Sequence, residues 1–135
     1  MTSRREFLAA TAALIGLPPA ADFTPSLFEL RRYRCAPGRR DDLVAMFERD
    51  FLDAYQAGGA RILGTFRDLD HADRWTWMRS FRDAPSRAAA LAAFYGSAAW
   101  KAGSAAANAT IEDVSEARLL RLVAPQRFAP APVAP

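Results

Sequence analysis

The alternation of side chains in residues 74–81 constrains the fold of this chain more than any other feature of its sequence. Successive side chains of a strand point to opposite faces, so every second residue belongs to the same face. One face carries Trp75, Trp77, Arg79 and Phe81, and the other carries Thr76, Met78 and Ser80. The pattern predicts a strand with one aromatic face, which packs in the core, lines a cavity or lies at a dimer interface.

Shorter patterns on either side give the order of the other elements. Apolar residues at helical spacing predict a helix that ends at Gly58, and a polar turn at residues 70–73 predicts a hairpin. Asp83 and Pro85 open a second helical region. The predicted elements are a strand over 28–34, a helix over 40–57, strands over 60–68 and 74–81, helices over 83–94 and 98–109, and a strand over 116–123.

This order, β-α-β-β-α(α)-β, predicts an α+β fold of the ferredoxin-like sandwich type. Four antiparallel strands form one sheet, and the helices cover one of its faces. The other face is left bare, and the strands are rich in Trp, Phe and Leu, which suggests that this face is covered by a second copy. We therefore expect two copies of the chain to pair sheet to sheet as a homodimer.

The first 21 residues have the composition of an export signal. Two arginines precede about ten apolar residues, too few to span a bilayer, which needs roughly 20. Residues 3–8, SRREFL, resemble the twin-arginine consensus S-R-R-x-F-L. We expect export to the periplasm or secretion, with no stable membrane span; an amphipathic helix of a cytoplasmic protein is the alternative. Residues 22–26 are then a linker, 27–123 the domain and 124–135 a disordered Ala/Pro-rich tail.

Composition excludes several classes of function. The 18 Lys and Arg residues exceed the 15 Asp and Glu residues by only three and are not clustered, so a nucleic-acid partner is not expected. A single Cys excludes an internal disulfide, and with only one His as well the chain does not supply the Cys and His ligands of a structural zinc site. The chain has no Gly-rich phosphate loop and no nucleophile elbow, so we expect neither a metal nor a cofactor.

Several motifs together resemble the NIPSNAP family over about residues 28–123. They are W-x-R-x-F at 77–81, F-Y-G at 94–96, W-K at 100–101 and A-N-A-T at 107–110. The resemblance implies a dimeric α/β barrel. That superfamily also holds cofactor-free monooxygenases of polyketide pathways and polyketide cyclases, but the family itself brings no settled reaction.

Arg79 is the first candidate for a functional residue, because arginine is seldom buried without a partner. Its guanidinium would bind a carboxylate, enolate or phenolate oxygen, while Trp75 and Trp77 stack on a planar ligand. A core ion pair with Glu29 or Glu116 is the alternative.

Four further residues are weaker candidates. Tyr33 shares a strand face with Glu29 and would orient a ligand oxygen, although packing through a bonded hydroxyl is the alternative. His71, the only histidine of the chain, would serve as a general base, but its polar turn favours exposure to solvent. Tyr95, Trp100 and Asn108 resemble positions of the family's helical motif; Trp100 and Asn108 are expected to bind a ligand, with packing of the two helices as the alternative for the aromatic residues. The lone Cys35 is expected to be a free thiol, with a bridge between subunits as the alternative.

Two classes of function follow from these residues. The first is a binding protein that holds a small apolar or aromatic ligand or a partner protein. The second is a cofactor-independent monooxygenase or polyketide cyclase, in which Arg79 and Tyr33 hold the substrate anion. A cavity of several hundred cubic ångströms beside Arg79 would favour the enzyme, whereas tryptophan rings filling that space would exclude it.

Overall fold

The computed structural model describes residues 23–123, which form one four-stranded sheet and a layer of helices. The expected export signal and the expected tail lie outside the described residues. The strands are β1 (Leu27–Cys35), β2 (Arg61–Arg67), β3 (Arg74–Phe81) and β4 (Ile111–Arg121). They are arranged in the order β2-β3-β1-β4, and every neighbouring pair is antiparallel. The predicted α+β ferredoxin-like architecture is therefore confirmed.

Strand β1 is central, so its register sets the two faces of the sheet. Glu29 lies opposite Arg79 of β3, and Tyr33 lies opposite Trp75. These residues belong to the inner face, which the helices cover. The neighbouring pair, Leu30 and Met78, belongs to the outer face. The alternation read from the sequence therefore separates the two faces as the structure has them.

The helical layer begins with a segment over residues 40–57 that contains a change of helix type. It consists of α1 (Arg40–Met46), a π-helical turn (Phe47–Phe51) and α2 (Leu52–Ala57). In the π turn the backbone N–H of Leu52 donates to the carbonyl of Phe47, five residues earlier. Such turns insert one residue into a helix and are frequent at functional sites.

The second half of the helical layer consists of α3 (Ala84–Tyr95) and α4 (Ala98–Ala109). The Asp83 carboxylate caps α3 by accepting a hydrogen bond from the N–H of Ser86 at 2.8 Å. Gly96 ends α3, and the Ser97 hydroxyl caps α4 by accepting from the N–H of Trp100 at 3.2 Å. The cap separates two short helices and fixes where α4 starts.

Most strand ends differ from the sequence prediction by one or two residues, and larger differences occur at the start of β4 and in the predicted linker. Strand β4 starts at Ile111, five residues before the predicted start, because its first residues are mixed polar and apolar and its side chains are largely exposed. The described part of the predicted linker is attached to the domain. Phe23 is buried and lies 4.8 Å from the Arg61 guanidinium, and the N–H of Ser26 donates to the carbonyl of Phe81.

The outer face of the sheet carries an apolar groove. The groove has a volume of about 470 Å³ and is bordered mainly by Phe28, Leu63, Met78 and Leu120. Leu63 and Leu120 are more than two-fifths exposed. No helix of the described chain covers this face, in agreement with the predicted one-sided sandwich.

Candidate functional site

A cavity of about 190 Å³ lies between the inner face of the sheet and the helices. Nine of its fifteen bordering residues are aromatic. These nine include all three tryptophans and all three tyrosines of the chain: Trp75, Trp77, Trp100, Tyr33, Tyr55 and Tyr95. Amphipathic aromatic side chains supply both flat apolar surface and polar groups, and they are the usual lining of a ligand pocket.

The sheet supplies one wall of the cavity through β1 and β3. The Trp75 and Trp77 indoles lie nearly parallel, with ring centroids 5.9 Å apart. The Tyr33 ring meets both of them edge-on, at 5.7 and 6.1 Å. The indole N–H groups are buried and have no acceptor among the described residues. Buried donors are normally paired with protein, water or ligand atoms, so these groups are suited to an acceptor atom of a bound molecule.

The helices supply the opposite wall, and the π turn positions its first two rings. Phe47 and Phe51 mark the two ends of that turn, and both border the cavity. Tyr55 continues the same face of the helix and stacks on Phe94 of α3, with centroids 3.6 Å apart. Trp100, held by the cap of α4, packs on Phe51. The aromatic wall therefore depends on the meeting of three helical segments.

A buried charged cluster lies beside the cavity and is centred on the Glu29 carboxylate. Three arginines, Arg31, Arg79 and Arg87, surround it. Arg31 Nη1 donates to Oε1 at 2.8 Å, while the Nε atoms of Arg79 and Arg87 donate to Oε2 at 3.0 Å. Glu29 is 2% exposed, and a carboxylate so buried is stable only when it is paired in this way.

The protonation state of Glu29 follows from these contacts. Burial alone raises the pKa of a carboxyl group, because it penalises the charged form. Here the hydrogen bond from Arg87, the charge of Arg79 and the hydrogen bond from Arg31 outweigh burial and lower the pKa of Glu29 from 4.5 to about 2. Glu29 is therefore ionised at neutral pH.

Arg31 links the charged cluster to the cavity. Its Nε donates to the Tyr33 hydroxyl at 3.2 Å, and its side chain borders the cavity and is 17% exposed. Burial lowers the pKa of an arginine, but the neighbouring Tyr33 and Glu29 outweigh it and raise the pKa of Arg31. The guanidinium thus remains a permanent cation at one end of an aromatic cavity.

Five of the predicted ligand-binding residues come together at the cavity. They are Tyr33, Trp75, Trp77, Trp100 and Asn108. Arg79, the sixth, does not border it. Its guanidinium lies over the Trp77, Tyr55 and Phe81 rings at 5.0–5.6 Å and forms the ion pair with Glu29 that was the alternative interpretation.

The structure places His71 and Cys35 away from the cavity lining. His71 is exposed in the turn between β2 and β3, where the Asp68 carboxylate accepts a hydrogen bond from its backbone N–H. Cys35 is a free, buried thiol at the end of β1, and burial raises its pKa. Residues 23–123 hold no group of three His, Cys, Asp or Glu side chains placed to bind a metal, and no helix there is long and apolar enough to cross a membrane.

Two bordering residues with polar groups were not singled out from the sequence. Arg31 lies between Glu29 and Tyr33 in the alternation of β1, so its face was predictable although its role was not. Tyr55 lies on the apolar side of the first helical segment, where its spacing predicts only a core residue. Burial raises the pKa of Tyr55, so its hydroxyl stays protonated.

Comparison with known proteins gives one family and one fold. Residues 28–125 match the family model described as NIPSNAP. A NIPSNAP domain protein from Burkholderia xenovorans shares 21% identity, covering 78% of this chain and 99% of that one, with a TM-score of 0.67. A NIPSNAP family protein from Agrobacterium tumefaciens shares 17% identity, covering 82% and 97%, with a TM-score of 0.67.

A third solved structure has a different name. It is a Chloroflexus aurantiacus protein named as a candidate antibiotic biosynthesis monooxygenase, with 19% identity, coverage of 73% of this chain and 95% of that one, and a TM-score of 0.58. At this identity the likeness concerns the fold alone. No curated protein matches the chain.

Acid should destabilise the domain through Glu29. The pKa of Glu29 is lower in the folded than in the unfolded chain. Its contribution to the free energy of unfolding is therefore complete above about pH 4.5 and is lost as the pH falls toward 2. The shift corresponds to about 3 kcal/mol of unfolding free energy. Urea unfolding at a series of pH values measures it.

The matched variants are Glu29→Gln and Glu116→Gln. Glu29→Gln should cost about 3 kcal/mol at neutral pH, because the buried Arg79 and the partly buried Arg31 and Arg87 lose their counter-charge, and should flatten the acid dependence. Glu116 forms an exposed pair with Arg32, so Glu116→Gln should cost less than about 1 kcal/mol. Equal effects of the two variants would show that the buried cluster has no special role in stability.

Proposed function

The chain belongs to the NIPSNAP family, and from this premise we propose that it is an exported, homodimeric binding protein for a small aromatic ligand. The observation that supports this function is the convergence of every tryptophan and tyrosine of the chain on one cavity. A packing role alone does not require an empty volume of about 190 Å³ at that point, since protein interiors are close-packed.

The cavity volume limits the size of the ligand. An apolar cavity of about 150 Å³ holds one benzene molecule. The 190 Å³ found here therefore suits a single ring with a small substituent. The fused rings or long chains of polyketide intermediates are larger than this volume.

The bordering residues favour binding over catalysis. A cofactor-independent oxygenase needs a group that removes a proton from its substrate. No Asp, Glu, His, Lys or Cys borders the cavity in the described part of the chain. The ionisable groups there are Arg31, which stays protonated, and three tyrosines, of which Tyr55 has a raised pKa. Trp77 packs against the Arg79 guanidinium, and Arg79 pairs with Glu29. Arg79 therefore does not hold a substrate anion in the way that the enzyme hypothesis requires.

Ligand binding is tested through Gly103 of α4. A Cβ added there would meet the Phe51 ring at 3.0 Å, so a valine would push that ring toward the cavity. We expect Gly103→Val to weaken binding of one-ring probes such as benzoate and benzyl alcohol about tenfold or more. The three tryptophan indole N–H signals, all from cavity residues, report binding by two-dimensional NMR.

The matched control is Ala102→Val, an exposed position on the same helix, which should leave binding unchanged. A three-ring acid should not bind to either the wild type or the variants. Indole signals that stay unmoved by every one-ring probe would contradict the proposed binding function.

The homodimer rests on the apolar groove of the outer face. Self-association sheet to sheet would cover Leu63 and Leu120, which are otherwise in contact with water. A charge at this surface would have to be buried in the dimer without a partner. We therefore expect Leu120→Glu to be monomeric by light scattering where the wild type is dimeric.

Leu69→Glu is the matched control, because Leu69 is 99% exposed in the turn between β2 and β3. It should remain dimeric. A wild-type chain that is monomeric, or a Leu120→Glu chain that still dimerises, would exclude this face as the dimer interface.

Export rests on the twin-arginine pattern of residues 3–8. We expect the full chain, produced in a bacterium with a twin-arginine pathway, to reach the periplasm without its first 21 residues or so. Replacing both Arg4 and Arg5 with lysine should retain it in the cytoplasm, while Arg39→Lys should not. Cell fractionation and the intact mass of the exported chain measure this; an exported chain with an uncut N-terminus would contradict the signal assignment.

A further inference from the structure

The buried charged cluster has more positive than negative charge. Three guanidinium groups, those of Arg31, Arg79 and Arg87, share the one carboxylate of Glu29, so the cluster has a net charge of +2. Among residues 23–123, none of the three arginines lies within 4 Å of a second carboxylate. The Arg79 side chain is buried, whereas those of Arg31 and Arg87 are 17% and 31% exposed, so water hydrates part of this excess and an anion would compensate the rest.

One hydrogen-bond donor of the cluster also lacks an acceptor among the described residues. Nη1 of Arg79 has no hydrogen-bond acceptor in the described chain, and the residue is 1% exposed. A fully buried guanidinium N–H without an acceptor is rare, because its desolvation is not repaid. In the part of the chain that the structure describes, the cluster therefore lacks a second negative charge, and one Arg79 N–H has no acceptor and is compensated only by the neighbouring aromatic rings.

Arg31 is the member of the cluster through which a ligand can supply that charge. It alone of the three arginines borders the cavity. Two of its five N–H groups are used within the described chain, by Glu29 and by Tyr33. The other three are one N–H of Nη1 and both N–H groups of Nη2, and guanidinium N–H groups form strong charge-assisted hydrogen bonds with a carboxylate.

The residues next to Arg31 indicate which chemical group a ligand should carry beside its anionic group. Tyr33 contacts the Arg31 guanidinium on one side and the Trp75 and Trp77 rings on the other. The positive end of the cavity is therefore continuous with its aromatic wall. A ligand that fills both parts has an anionic group joined directly to a flat ring.

We propose that the ligand is a one-ring aromatic carboxylate, held by Arg31 at its carboxylate and by the surrounding rings at its apolar part. This inference rests on the proposed binding function and adds the charge class of the ligand. A monoanion lowers the net charge of the cluster from +2 to +1 and satisfies donors that the chain leaves open. A neutral phenol of the same size would satisfy donors but would leave the net charge of the cluster at +2.

Benzoate and its neutral isostere benzamide test the charge class directly. Titration of the full-length exported protein by calorimetry, with the indole NMR signals as a second readout, gives both dissociation constants. The wild type should bind benzoate about tenfold or more tightly than benzamide. Arg31→Gln should abolish that preference, and Arg31→Lys, which keeps the charge but not the planar guanidinium, should retain part of it.

Arg32→Gln is the matched control. Arg32 is adjacent in sequence but belongs to the outer face, where it pairs with Glu116, so the preference for benzoate should persist. Thermal unfolding of each variant shows that it is folded; Glu29 still has two arginine partners without Arg31.

The outcomes separate the two proposals. If benzamide binds as tightly as benzoate, the charge class is wrong while the binding function stands. A preference for benzoate that survives Arg31→Gln would overturn the role of Arg31. Failure of both compounds to bind would overturn the binding function as well.

Discussion

The ionised Glu29 carboxylate is the group on which the arrangement of the domain depends. It lies on the central strand, directly opposite Arg79 of the neighbouring strand, and it is reached by Arg87 from the helix Ala84–Tyr95. Two strands and one helix are therefore joined at one buried carboxylate. Such a charge is tolerated only with its partners in place, so their relative positions are fixed at this point.

The cavity lies directly beside this charged cluster. Arg31 contributes to both, since it donates to Glu29 and to Tyr33, whose ring packs on the two indoles of the next strand. Polar interactions are stronger where water is excluded, so the proposed ligand would be selected by charge as well as by shape. The outer face of the same sheet is apolar around Leu63 and Leu120, and it is the face that we propose binds a second copy of the chain.

Much of this arrangement is predictable from the sequence, because one-sided burial leaves a clear pattern. The alternation predicts the bounds of strand Arg74–Phe81. The interruption at Gly96 and Ser97 predicts where helix Ala98–Ala109 starts. The sequence predicts a later start for strand Ile111–Arg121 than the structure has, because the start of this exposed edge strand has no clear alternation of apolar and polar residues.

The site is less predictable than the fold. Tyr33, Trp75 and Trp77 follow from the strand faces, but the choice between Arg31 and Arg79 does not. Both arginines share the inner face, and the strand pattern alone does not distinguish the one that borders the cavity from the one that pairs in the core. The π-helical turn Phe47–Phe51, whose two end residues border the cavity, also leaves no distinct pattern in the sequence.

The most direct test of this account is an NMR titration of the Glu29 side-chain carboxyl carbon in the folded protein. If three arginines surround an ionised carboxylate, the signal should stay at its ionised position down to about pH 3, consistent with a pKa of about 2. A midpoint at the ordinary value of 4.5 or above would contradict the cluster, and with it the excess positive charge beside the cavity.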